Sequence, residues 1–158
     1  VDQIVRDVRL PVIASGGLMD GADIRGALDR GAAAVQLGTA FLACPESGAA
    51  DVYKRAVLNA KRDTTVITRA FSGRHARGLR NEFIDIVPEA AILPFPLQNA
   101  LTRPMRTVAG KKGEAGFLSL WAGTGVARAR AMPAAELMAR LVEELNQAAR
   151  QQEFQGRR

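Results

Sequence analysis

The chain has 158 residues, 47% hydrophobic and 24% charged, with 22 Lys and Arg against 16 Asp and Glu for a formal charge of +6. That composition belongs to a globular protein able to bury a core, and it excludes a disordered tail or a fibrous repeat. The basic residues are scattered and no aromatics interleave with them, so the charge reads as a solvated surface rather than a nucleic-acid groove, part of it suiting an anionic ligand, and no nucleic acid is expected as a partner.

The chain opens with Val1 where an initiator Met would stand, and VDQIVRDV carries apolar residues at the spacing of one helical face. It is expected to begin inside a helix, as part of a longer protein. Residues 10–15 form a continuous apolar run from Leu10 into glycines, which reads as a strand buried on both faces of a parallel sheet. Asp20 is placed to cap a helix over 21–30, and Gly31 to end it. Residues 33–37, AAVQL, read as the second buried strand.

A short helix follows Gly38 and gives way near Pro45. Cys44, the sole cysteine, is expected to be an inert, partly buried thiol, and its solitude excludes a disulfide framework or a multi-cysteine metal centre. A helix over about 49–60 turns Val52, Ala56 and Val57 inward, and 64–70 is strand-like. From 71 to about 110 the pattern becomes irregular, with a loop at SGRHARG, a short helix near 81–86 and a helix over about 97–109. This segment reads as an insertion on a scaffold within a single domain, 1–150. The clearest helix follows Pro133, where Leu137, Leu141 and Leu145 repeat with Met138 and Val142 beside them. Residues 151–158 are expected to fray. No apolar run approaches the roughly 20 residues that cross a bilayer and no signal peptide is evident, so a cytoplasmic protein away from membranes is expected.

Two strand-turn-helix units in succession, ending their strands at Ser15-Gly16-Gly17 and Gly38-Thr39, should lie on one sheet edge, since the crossover between parallel strands is right-handed. Backbone N–H groups there, with the helix dipole, favour an anion. GGxxDG is not the dinucleotide fingerprint, and no acidic residue ends the second strand, which favours a closed barrel over an open doubly wound sheet. Gln36 is a polar amide in an apolar strand, expected to be buried with a partner; reaching the ligand is the preferred reading and a bond to a neighbouring loop the other. Asp51, Tyr53 and Glu46 form no paired-carboxylate or nucleophile arrangement and receive no chemistry.

ASGGLMDGADI, GAAAVQLGTAFL, DTTVITRAFSGRHARGLRNEF, FPLQNALT and WAGTG, in this order, resemble the C-terminal half of nitronate monooxygenases, flavoproteins formerly called 2-nitropropane dioxygenases. The resemblance implies an α/β fold, the last part of a TIM barrel with a partly helical insertion and a C-terminal helix. It implies FMN as cofactor, held by Gly16, Gly17, Gln36, Leu37, Gly38 and Thr39, and oxidation of an alkyl nitronate with O2 to a carbonyl compound and nitrite. No metal is implied. The family's catalytic histidine stands in a Gly-Gly-His segment that these residues do not contain, with about six barrel strands expected before Val1. His75, between Arg74 and Arg77, is read as a loop residue without catalytic work. The SGRHARG loop closes over the flavin or is a well-bonded insertion; Trp121 packs or meets the flavin edge; Thr124 stands where Gln is common. Alternatives are an FMN-dependent enoyl-thioester reductase, or a non-catalytic half-barrel assembly module. An incomplete barrel leaves open sheet edges, so the isolated chain is expected to be inactive and to self-associate.

Overall fold

The computed structural model describes residues 1–155. They form two compact units, one from Val1–Ser47 together with the chain from Arg128 onward, the other Gly48–Ala127. The second unit includes the irregular segment 71–110 and extends beyond it on both sides.

In the first unit, helix α1 (Asp2–Asp7) leads to strand β1 (Ile13–Ser15), helix α2 (Gly21–Asp29) and strand β2 (Ala34–Gln36), and the long helix α6 (Ala134–Gln155) closes the sequence. β1 and β2 pair in parallel, with Ile13 opposite Ala34, Ala14 opposite Val35 and Ser15 opposite Gln36. Helix α2 is the crossover. Asp20 caps it by accepting from the Asp23 N–H at 2.9 Å, and Gly31 leaves it at φ +87°, as the sequence predicted. The core joins Met19, Ile24, Ala40 and Cys44 to Leu137 and Leu141 of α6. A satellite of Ala14, Ala27 and Ala32 packs α2 on the sheet.

The first strand is not buried on both faces as expected: only Ala14 is buried, with Leu10 77% and Ile13 61% exposed, because the described sheet of this unit has two strands. On α6, Leu137 and Leu141 are buried while Met138 and Val142 are exposed. The helix also runs on to Gln155, into the segment expected to fray from 151; residues 156–158 lie outside the described residues.

The second unit begins with helix α3 (Asp51–Leu58), which buries Val52 and Val57. Strands β3 (Thr65–Thr68) and β4 (Ala76–Leu79) pair antiparallel, Thr65 opposite Leu79 and Thr68 opposite Ala76. Thus SGRHARG is the tip and return strand of a hairpin rather than an irregular loop. Its turn closes through the Gly73 N–H to the Arg69 carbonyl at 2.8 Å, and Gly73 stands at φ +80°. A β-bridge from Gly78 to Trp121 adds a third line of chain.

Helix α4 (Glu82–Ile86) is capped by Asn81, whose amide also donates to the Ala115 and Leu118 carbonyls at 3.0 and 2.8 Å. Helix α5 (Leu97–Lys112) ends later than predicted, because Gly113 at φ +74°, not Gly110, supplies the left-handed cap behind Lys111 and Lys112. It fastens the hairpin turn: the Gln98 amide donates to the Ala70 carbonyl at 2.5 Å and the Thr102 hydroxyl to that of Phe71 at 2.6 Å. No described helix is long and apolar enough to cross a membrane.

Candidate functional site

The register of β1 and β2 sets Ser15 beside Gln36, so the residues that follow each strand leave from the same edge. Gly16 and Gly17 follow the first and Leu37, Gly38 and Thr39 the second. Parallel neighbours lie about 4.8 Å apart, so the two glycine turns begin side by side. All six residues expected to hold the cofactor are therefore brought together by sheet topology.

Their local geometry differs from residue to residue. Gly16 and Gly17 stand at φ +108° and +74°, a pair of positive-φ positions that only glycine adopts without strain. A Cβ added at Gly16 or Gly38 would meet no atom within 4 Å, so both look onto open space. Leu37 packs its side chain against the core, leaving its main chain to the edge. Gln36 is exposed, which corrects the expectation of a buried amide: among the described residues β2 pairs only with β1. Thr39 opens a single 3-10 turn, Thr39–Phe41, too short to carry a macrodipole. Donors here act as individual amides.

The helix dipole expected to help at the first turn is already engaged by the protein. Asp20 caps α2, and the Glu144 carboxylate reaches across from α6 to accept the Gly21 N–H at 3.0 Å. Arg130 pairs with Glu144 at 2.6 Å and donates to the Met19 carbonyl at 2.9 Å. The N-terminus of α2 thus serves intramolecular carboxylates, and an anion at this edge depends on the glycine turns.

Burial alone would raise Glu144, but the Gly21 N–H and Arg130 outweigh it and hold the carboxyl below its ordinary value of 4.5. A carboxyl depressed in the folded state adds stability at pH above the unfolded value and loses it as pH falls through the folded one. Glu144→Gln should accordingly be less stable than wild type near neutral pH, with the difference vanishing in acid below that range. Urea unfolding at a series of pH values checks this; a pH-independent gap would refute it.

The other singled-out residues belong to the second unit or to packing. His75 is exposed at the hairpin tip beside Arg74, whose guanidinium lies 4.1 Å from the Phe95 ring. Trp121 meets Phe71 edge-on at 5.8 Å, and its carbonyl accepts from the Tyr53 hydroxyl, which burial pushes up to about 12. Thr124 is exposed. Sequence reasoning missed Glu46, which accepts the Ala134 N–H at 3.0 and 3.1 Å and so caps α6; the acidic residue before a Ser-Gly break was the only local signal. Cys44 is buried in the core of the first unit.

The family model of nitronate monooxygenase matches residues 1–144. A nitronate monooxygenase of Pseudomonas aeruginosa is 48% identical over 139 residues, 86% of this chain and 40% of its own length. A probable nitronate monooxygenase of Staphylococcus haemolyticus is 42% identical over 147 residues, 92% of this chain and 41% of its own. Among solved structures, a nitroalkane oxidase from Streptomyces ansochromogenes superposes with a TM-score of 0.90 at 44% identity, over 94% of this chain and 43% of that one. FabK from Thermotoga maritima follows at a TM-score of 0.82 and 28% identity, over 97% and 50%. The chain therefore spans about two-fifths of the length of the curated relatives it matches. With five sequence motifs in order, the paired glycine turns and this match over nearly all of its length, the chain belongs to the nitronate monooxygenase family.

Proposed function

We propose that these residues form the phosphate-binding end of an FMN-dependent nitronate monooxygenase, as the closing part of a TIM barrel. The observation that carries the reading is the parallel register that sets Gly16-Gly17 beside Gly38-Thr39, with Gly16 and Gly38 facing open space. What supports a phosphate there is that a Cβ at Gly16 or Gly38 would meet no atom, so the backbone is open to close approach, and that positive-φ glycines leave the turn free to present its amides. Gly16, Gly17, Leu37, Gly38 and Thr39 would hold it through their main chain, with the Thr39 hydroxyl and the Gln36 amide as further donors. When bound, FMN supplies electron acceptance from an alkyl nitronate, whose oxidation with O2 yields a carbonyl compound and nitrite.

The chain's own residues bind and orient. The sole histidine, His75, belongs to the other unit, and the carboxylates near this edge, Asp20, Asp23 and Glu144, are engaged by Arg128, Arg130 and backbone N–H groups. In this reading a histidine outside these residues is the base, so the purified 158 residues with FMN and an alkyl nitronate release no nitrite; release would refute that assignment.

Flavin fluorescence titration tests the cradle directly. FMN should bind more tightly than riboflavin, which lacks the phosphate. Gly38→Ala places a methyl group in the open space at φ −108°, where alanine is unstrained, so its unfolding midpoint should match wild type. Its FMN affinity should fall about tenfold, the loss of roughly one charge-assisted hydrogen bond, with riboflavin unaffected. Equal FMN affinity in the two proteins would overturn the cradle.

A further inference from the structure

Arg128 is the first residue of the chain's return to the first unit, and both terminal amino groups of its guanidinium bond at the glycine turn. One amino group pairs with Asp20 Oδ2 at 2.6 Å. The other pairs with Asp23 Oδ2 at 2.7 Å and donates to the Gly17 carbonyl at 3.1 Å. The two carboxylates are themselves tied to the turn, Asp20 Oδ1 through the Asp23 N–H at 2.9 Å and Asp23 Oδ2 through the Met19 N–H at 2.7 Å. One planar cation therefore joins the carbonyl of the second glycine to both acidic groups of the segment that follows it.

From this we infer that Arg128 is a positioning residue for the anion cradle, an inference that rests on the proposed phosphate site. Its first effect is geometric. Arg128 holds the carbonyl of Gly17, which fixes the Gly17-Leu18 peptide and so anchors the C-terminal side of the glycine pair that carries the cradle amides. Left-handed glycines have the least intrinsic preference for one conformation, so an external hold is effective there. Its second effect is electrostatic. Asp20 and Asp23 stand within a few residues of the turn and would repel a dianion; a guanidinium paired to both offsets one of their two charges at short range.

A lysine could neutralise but could not span three acceptors with a rigid fork, which separates the two effects. Arg128→Gln and Arg128→Lys in the 158-residue chain test them by two readouts. In ligand-free protein, amide hydrogen exchange over residues 16–19 should quicken about tenfold in both variants, as a charge-assisted hydrogen bond is lost. In flavin titrations, Arg128→Gln should weaken FMN about tenfold and leave riboflavin within twofold, while Arg128→Lys falls between it and wild type. Exchange and FMN affinity both within twofold of wild type in Arg128→Gln would overturn the inference. So would an equal loss for FMN and riboflavin, the sign of a merely structural role. If wild type holds FMN no better than riboflavin, the phosphate site itself fails, and with it the cradle role. The exchange rates would then still show whether Arg128 holds the turn.

Discussion

Gly21→Ala should cost about 3 kcal/mol of folding stability, the upper range for overpacking a closed contact. A Cβ there would fall within 3.0 Å of the α6 backbone at Glu144 and Leu145, atoms that cannot swing aside as a flexible side chain could. Gly21 is also the first residue of α2, where alanine would ordinarily gain about 1 kcal/mol in helix propensity; the clash outweighs that gain. Relieving it requires α6 to move off α2, which withdraws Glu144 from the Gly21 N–H and loosens Leu137 and Leu141 against Met19 and Ile24. Urea unfolding followed by far-UV circular dichroism reads the effect. A variant within about 0.5 kcal/mol of wild type, the range of neutral surface changes, would mean that the two helices are not in contact there. The same substitution at Gly38 is expected to leave stability untouched, so the pair distinguishes a glycine required by packing from one required by a ligand.

Phe71→Ala should be comparably severe in the second unit, at about 3–5 kcal/mol for truncating a buried aromatic. Phe71 is 1% exposed, with its ring 4.9 Å from that of Phe83 and 5.8 Å from that of Trp121, while its carbonyl accepts from Thr102. Removing the ring empties the junction of the hairpin, α4 and the Trp121 segment. Trp121 is the only tryptophan, so its fluorescence reports on the affected cluster directly. The expected result is a lower denaturation midpoint with a red-shifted native emission. An unchanged midpoint would show that the cluster repacks around the void.

What could be read in advance was local or periodic. The Asp20 cap, the Gly31 stop, the Asn81 start and the crossover that aligns two strand ends each follow from residues within a few positions of one another. The glycine turns were legible for the same reason. The misreadings have long-range causes. Glu144 and Gly21 are 123 positions apart, and Arg128 and Asp20 are 108, so no window along the chain reveals that the α2 N-terminus is already satisfied. β4 escaped notice because ARGL has no alternation of its own; β3 and the Trp121 segment on either side make it a strand. Gln36 was expected to be buried because its strand is apolar, yet burial belongs to the neighbours a strand has, and β2 is bordered only by β1 among the described residues.

The Glu46 carboxylate lies just before the chain departs at Ser47, and the Ala134 N–H that it binds lies shortly after the chain returns at Arg128. It acts as a clasp at the neck of the whole Gly48–Ala127 excursion. Closing a longer excursion through the same neck costs little, about 0.6 kcal/mol for each doubling of its length. The intervening segment can thus lengthen, shorten or exchange its contents over evolutionary time, while the edge that carries Gly16, Gly17, Gly38 and Thr39 keeps its alignment.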